Sequence, residues 1–125
     1  MKMPILITTI VMIVSTMSMN AQTKPLVIQF LGMQKGCPHT PKLRDSLTTA
    51  LSMLGWDTKV ESLDVFELSR RGDPRAGYGS PTVLVNGRDL LGAEPSSSLE
   101  PACRYYPGGL PTVVGIVSRL QELSK

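Results

Sequence analysis

Residues 26–54 constrain this chain most, because their hydrophobic pattern changes period across one short loop. Leu26, Val27, Ile28, Phe30 and Leu31 form an apolar run broken only by Gln29, the pattern of a strand covered on both faces. After a loop over residues 32–36, Leu43, Leu47, Ala50, Leu51 and Leu54 recur at helical spacing, with Lys42, Arg44, Asp45 and Thr48 on the other side. Gly55 stands where such a helix ends. A buried strand feeding an amphipathic helix calls for an α/β arrangement, in which a sheet covers the helix's apolar stripe.

The remaining segments extend that unit. Residues 58–65, with Val60, Leu63 and Val65 among polar neighbours, read as a second strand. Residues 66–71 fit one short helical turn, and Gly72, Asp73, Pro74, Gly77 and Gly79 make residues 72–79 a loop. The β-branched residues 82–85, the Asn86-Gly87 turn and the returning residues 88–91 predict a hairpin. Residues 92–109, roughly 18 in number, are rich in Ser, Pro and Gly and exceed the usual loop length, which favours a functional role. Leu110-Pro111 then opens a last helix with Val113, Ile116, Val117, Leu120 and Leu123 on one face. The order predicts an α/β fold with a central four-stranded mixed sheet and helices on both faces.

At 125 residues there is room for one ordinary domain. Residues 1–21 read as a cleavable signal peptide, with Lys2 before an apolar run and a small-residue end at Ala21. The run is too short and too interrupted by Ser and Thr for a membrane span of roughly 20 apolar residues. Residues 22–125 are thus expected as a periplasmic or secreted domain with no stable membrane span after cleavage, the alternative being that the N-terminal segment stays uncleaved as an anchor. The formal charge of +3 includes Lys2, and no basic run exceeds Arg70-Arg71, so nucleic acid is not an expected partner. No phosphate-binding glycine pattern, hydrolytic triad or paired acid–base carboxylates are apparent, and no cofactor is expected.

The chemistry concentrates on two cysteines, Cys37 and Cys103. An exported chain meets conditions in which a disulfide persists, so the pair fits structural, catalytic or metal-binding use. Cys37 opens Cys37-Pro38-His39-Thr40 between the first strand and the first helix, and Gly79-Ser80-Pro81-Thr82-Val83 opens the third strand. On these two motifs the chain, from Leu26 onward, resembles the thioredoxin and glutaredoxin superfamily. The resemblance implies a cis bond before Pro81, facing a catalytic Cys37. Pro38-His39 is similar to the pair between the cysteines of bacterial periplasmic disulfide oxidases, but Thr40 stands where their second cysteine would be. The segment therefore looks more like the single-cysteine glutaredoxin arrangement.

Helix amides and a protonated His39 would favour a Cys37 thiolate. The Thr40 hydroxyl is a donor of the right size for that thiolate, yet Thr40-Pro41 equally fits an N-cap followed by proline. The helix start is thus open between Cys37 and Thr40. Antiparallel return of the hairpin brings residues 92–109 back toward the Pro81 end, which makes Cys103 a candidate resolving cysteine. Arg104 and Tyr105 are candidate substrate contacts beside Ser80 and Pro81, with Arg104 supplying charge for a thiolate or an acidic substrate. Tyr106 follows directly, either beside the site or in ordinary packing.

The leading expectation is a thiol–disulfide oxidoreductase of the cell envelope, with Cys37 as nucleophile and protein or small-molecule thiols and disulfides as partners. Two other readings fit the same residues. One is a soft-metal binder using Cys37, Cys103 and His39, although the cysteine spacing lacks the short ligand repeat of a zinc site and no metal ligands are assigned. The other is an interaction protein whose disulfide is only structural.

Overall fold

Alternate residues of the first strand, β1 (Ile28–Gly32), face two different hydrophobic clusters. The computed structural model describes residues 24–33 and 35–125; the expected signal segment lies outside them. On one face Ile28 and Phe30 pack with Val83 and Val85 and with Leu43, Leu47, Ala50, Leu51 and Leu54 of α1 (Thr40–Leu54). Ile116 and Leu120 of the last helix join the same cluster. On the other face Leu31 and Leu84 pack with Val65, Leu68 and Ala76. Two covered faces are the reason that β1 carries a continuous apolar run. Its break is explained by Gln29, which pairs across the strands with Glu61 through a 3.1 Å hydrogen bond.

The sheet has four strands in the order β2-β1-β3-β4. β2 (Val60–Asp64) lies parallel to β1, with Ile28 opposite Val60. β3 (Thr82–Val85) runs antiparallel to β1, with Phe30 opposite Val83, and β4 (Arg88–Asp89) is antiparallel to β3. The α/β class and the mixed four-stranded sheet thus stand as the sequence predicts. Both Asn86 and Gly87 have positive φ, 52° and 81°, as a two-residue I′ hairpin turn requires.

Several element boundaries depart from the sequence reading, and the helix start that it left open now has a place. α1 starts at Thr40, so Cys37 lies one turn upstream; Thr40 is the first helical residue and not the cap. His39 occupies the cap position without a side-chain capping bond. Residues 72–79 are not all loop, because Pro74–Tyr78 forms a 3₁₀ helix. Asp73 caps it, accepting from the Arg75 amide at 3.0 Å, and Pro74 sits at its first position. α2 (Val65–Arg70) precedes this turn, and its cap is the Asp64 carboxylate, which accepts from the Phe66 amide.

β4 stops after two residues, where four were expected. The Asp89 carboxylate accepts from the amides of Leu91 and Ala93 at 3.2 and 3.0 Å, which turns the chain out of the ladder. The last helix, α3 (Val113–Leu123), begins beyond Leu110-Pro111, because Thr112 caps it through the Gly115 amide at 3.0 Å. A threonine hydroxyl that satisfies an orphan amide sets the start more strongly than a proline that merely tolerates it.

The Asp73 cap has a measurable pH signature. Side-chain hydrogen bonding from Arg75 holds the Asp73 carboxyl down at about 2, below its ordinary value of 3.8. A lowered folded-state pKa contributes stability that is complete above the ordinary value and is lost as pH falls toward 2. Asp73→Ala is expected to cost about 1 kcal/mol at neutral pH. In urea titrations, the gap between variant and wild type should shrink as the pH approaches 2.

Candidate functional site

The carboxyl end of β1 delivers the chain to Cys37, which is 7% exposed, just ahead of α1. Cys37 is bonded to Cys103 across a sequence separation of 66, with the two Cα atoms 5.6 Å apart. That spacing lies in the ordinary range for a disulfide. Cys103 Sγ also approaches the Gly36 carbonyl oxygen at 3.2 Å. A disulfide sulfur carries no proton, so in the oxidised protein this is a contact, and only the free thiol could donate there.

Backbone pairing brings Cys103 to this position. The Ser80 amide donates to the Ala102 carbonyl at 2.9 Å, and the Ser80 carbonyl accepts from the Arg104 amide at 2.7 Å. Ser80 and Cys103 thus form a single parallel bridge, beside a Ser80–Pro81 bond that is cis. Both the amide and the carbonyl of Ser80 are thus occupied by this chain's own residues. Gly77 and Gly79 permit the approach: a Cβ at Gly77 would lie 2.2 Å from the Ser96 carbonyl oxygen, and Gly79 has φ of 78° beneath the Ala102 carbonyl.

Side chains pin the crossing segment from the other side. Arg104 makes a two-pronged ion pair with Asp89, at 2.6 and 3.0 Å, and its guanidinium lies 4.4 Å from the centre of the Tyr106 ring. The Asp89 side chain is only 2% exposed. Burial pulls the Arg104 pKa down, but hydrogen bonding to Asp89 together with the charges of Tyr106, Asp89 and Tyr78 outweighs it and holds the guanidinium above its ordinary value. Arg104, expected to supply charge for a thiolate or an acidic substrate, is paired with Asp89 in this structure. Tyr106 donates to the Pro81 carbonyl, and burial raises its phenol pKa although Arg104 acts in the opposite sense.

Thr40 and Ser80, 6% and 0% exposed, place their hydroxyls 3.1 Å apart. The sequence leaves Thr40 open between a donor to a Cys37 thiolate and a helix cap; in the disulfide form its hydroxyl partner is Ser80. One hydrogen bond between two hydroxyls uses one of their two protons and leaves the other for a further acceptor. His39 and Tyr105 are exposed, Tyr105 at 82%, and meet around a cavity of about 120 Å³ with Arg104 and Leu110. A larger cavity of about 440 Å³ lies beyond Cys37, bordered by Gly36, Thr40, Pro41, Arg44, Ser62 and Asp64.

The structure thus gathers Cys37, Cys103, Thr40, Ser80, Pro81 and Arg104 at one end of the sheet, with His39 and Tyr105 at the rim. Asp89 is the residue that sequence reasoning missed. Its signal was the hairpin register, since a two-residue Asn-Gly turn puts residue 89 opposite Leu84, which is fully buried. Among the described residues no three His, Cys, Asp or Glu side chains group to hold a metal ion, and no helix is long and apolar enough to cross a membrane.

Two stability measurements check this arrangement. Removing Arg104 strands a buried carboxylate, so Arg104→Ala is expected to cost about 3–5 kcal/mol, whereas replacing Asp89 and Arg104 together by Leu and Met should cost clearly less. Reducing the disulfide, whose loop spans 66 positions, should lower unfolding free energy by about 4 kcal/mol in denaturant titrations.

Comparison with protein families, with curated proteins and with solved structures finds no match to this chain.

Proposed function

We propose that the chain is an exported thiol–disulfide oxidoreductase with a thioredoxin-like fold, whose working couple is the Cys37–Cys103 disulfide. The observation that carries this reading is the bridge's place in the fold: it joins the loop ahead of α1 to a segment lying across Ser80–Pro81. A disulfide needed only to staple the chain has no requirement for a helix start beside one sulfur. Here α1 has neither a side-chain cap nor an acidic residue in its first turn. Its partial positive charge is left to favour a thiolate at Cys37, one turn upstream.

In the proposed reaction the reduced protein gives two electrons to a substrate disulfide. One of its thiolates attacks a substrate sulfur, forming a mixed disulfide and expelling a substrate thiolate. The second thiolate then attacks the protein sulfur of that mixed disulfide, re-forming Cys37–Cys103 and releasing the other substrate thiol. The Thr40–Ser80 hydroxyl pair keeps one proton available, and donation to a thiolate at Cys37 is its proposed use. Partners on this reading are protein or small-molecule thiols and disulfides.

The reduction potential separates this function from a structural bridge. Equilibration with glutathione should place the couple between about −270 and −120 mV, the span of known exchange catalysts, with Cys37→Ser and Cys103→Ser each abolishing turnover of a disulfide substrate. A potential below about −300 mV, with full stability of the bridge against glutathione, would instead mark an interaction protein held by a structural disulfide.

A further inference from the structure

We infer that Cys103, and not Cys37, is the sulfur through which this disulfide exchanges with its partners, and that Cys37 is the internal resolving thiol. The inference rests on the oxidoreductase reading and assigns the two sulfurs the reverse of the order that the Cys37-Pro38-His39-Thr40 resemblance implies.

Three independent features point the same way. The first is access. Exchange is an in-line displacement in which the incoming thiolate reaches one sulfur opposite the other; Cys37 is 7% exposed, whereas Cys103 is exposed. The second is occupancy. An extended partner aiming at Cys37 along Ser80 would need that residue's amide and carbonyl, and these already bond Ala102 and Arg104 at 2.9 and 2.7 Å. The crossing segment is also held by the buried Asp89–Arg104 pair and by Tyr106 on the Pro81 carbonyl, so breaking the S–S bond alone does not clear the lane.

The third is the leaving group, because a disulfide opens faster when the departing thiolate is the better stabilised one. Cys37 stands at the uncapped start of α1, free of first-turn acids. The Cys103 sulfur instead faces the Gly36 carbonyl oxygen at 3.2 Å, which disfavours negative charge there.

A partner thiolate attacks Cys103 Sγ, the S–S electron pair departs with Cys37, and the products are a partner–Cys103 mixed disulfide and a Cys37 thiolate. A second partner thiolate attacks the partner's sulfur and releases Cys103; both protein thiolates then take protons from water. In reverse, the Cys103 thiolate opens a substrate disulfide and Cys37 resolves the adduct. The cavity of about 440 Å³ beyond Cys37 is the competing route, through which a small thiol would reach that sulfur instead.

Site mapping decides between them. Oxidised wild-type protein is mixed with reduced glutathione, quenched in acid at short times, and the adduct is located by peptide mass spectrometry. Glutathione on Cys103 with free Cys37 is expected; glutathione on Cys37, or equally on both, overturns the assignment. A second measurement needs no trapped adduct: reduced Cys37→Ser and Cys103→Ser, each confirmed folded by circular dichroism, react with dithiobis(nitrobenzoate). Cys103 in the first should react about tenfold faster, or more, than Cys37 in the second, and equal or reversed rates overturn the inference. Failure of the oxidoreductase reading shows differently, as absence of substrate turnover while the adduct still maps to one sulfur or the other.

Discussion

A carboxylate shut away from water must find a cation, and the Asp89 side chain, 2% exposed, finds Arg104. Most of what distinguishes this structure depends on that requirement. Asp89 ends β4 by holding the amides of Leu91 and Ala93, so the same side chain launches residues 92–109 away from the sheet. Its two oxygens then fasten the far end of that excursion, because they also receive the Arg104 guanidinium. One buried acid thus begins and closes the segment that carries Cys103. With Arg104 fixed, its amide meets the Ser80 carbonyl, and the cysteine beside it comes within bonding reach of Cys37.

The sheet's two-faced burial explains why the site stands where it does. α1 and α3 cover one face and α2 with the 3₁₀ turn covers the other, while β1 and β3 are paired on both sides, so backbone groups are left open to a partner along the edge strands and at strand ends. Ser80, at the entrance to β3, is such a place, and the chain fills it with its own residues 102 and 104. The rim residues His39 and Tyr105 remain exposed beside that closure.

Elements whose signal is periodic were legible from sequence. The apolar run of β1, the stripe of α1 and its Gly55 stop, and the Asn86-Gly87 turn all reflect interactions between near neighbours along the chain. Misplaced boundaries arose where one polar side chain outranked composition: Asp73 ordering a glycine-rich loop, Thr112 capping after Pro111, and Asp89 cutting β4 short. At the site, the nearness of residues 92–109 to Cys37 followed from hairpin direction. The commitment of Arg104 did not, because nothing within a few residues of it signals a partner 15 positions earlier. Thr40 shows the same limit: its hydroxyl serves Ser80, 40 positions away, in place of the local capping role that its sequence context suggested.

The disulfide draws a covalent ring that encloses α1, β2, α2, β3 and β4 but leaves β1 and α3 on its two tails. One of the two central strands of the sheet and one helix of the core are therefore outside the ring. A single backbone cut between residues 37 and 103 leaves the two pieces joined through sulfur, whereas a cut on either tail severs an element held by packing and hydrogen bonds alone. Resistance to proteases is consequently set by how firmly β1 and α3 stay docked, and the bridge guards only the stretch between its own two ends.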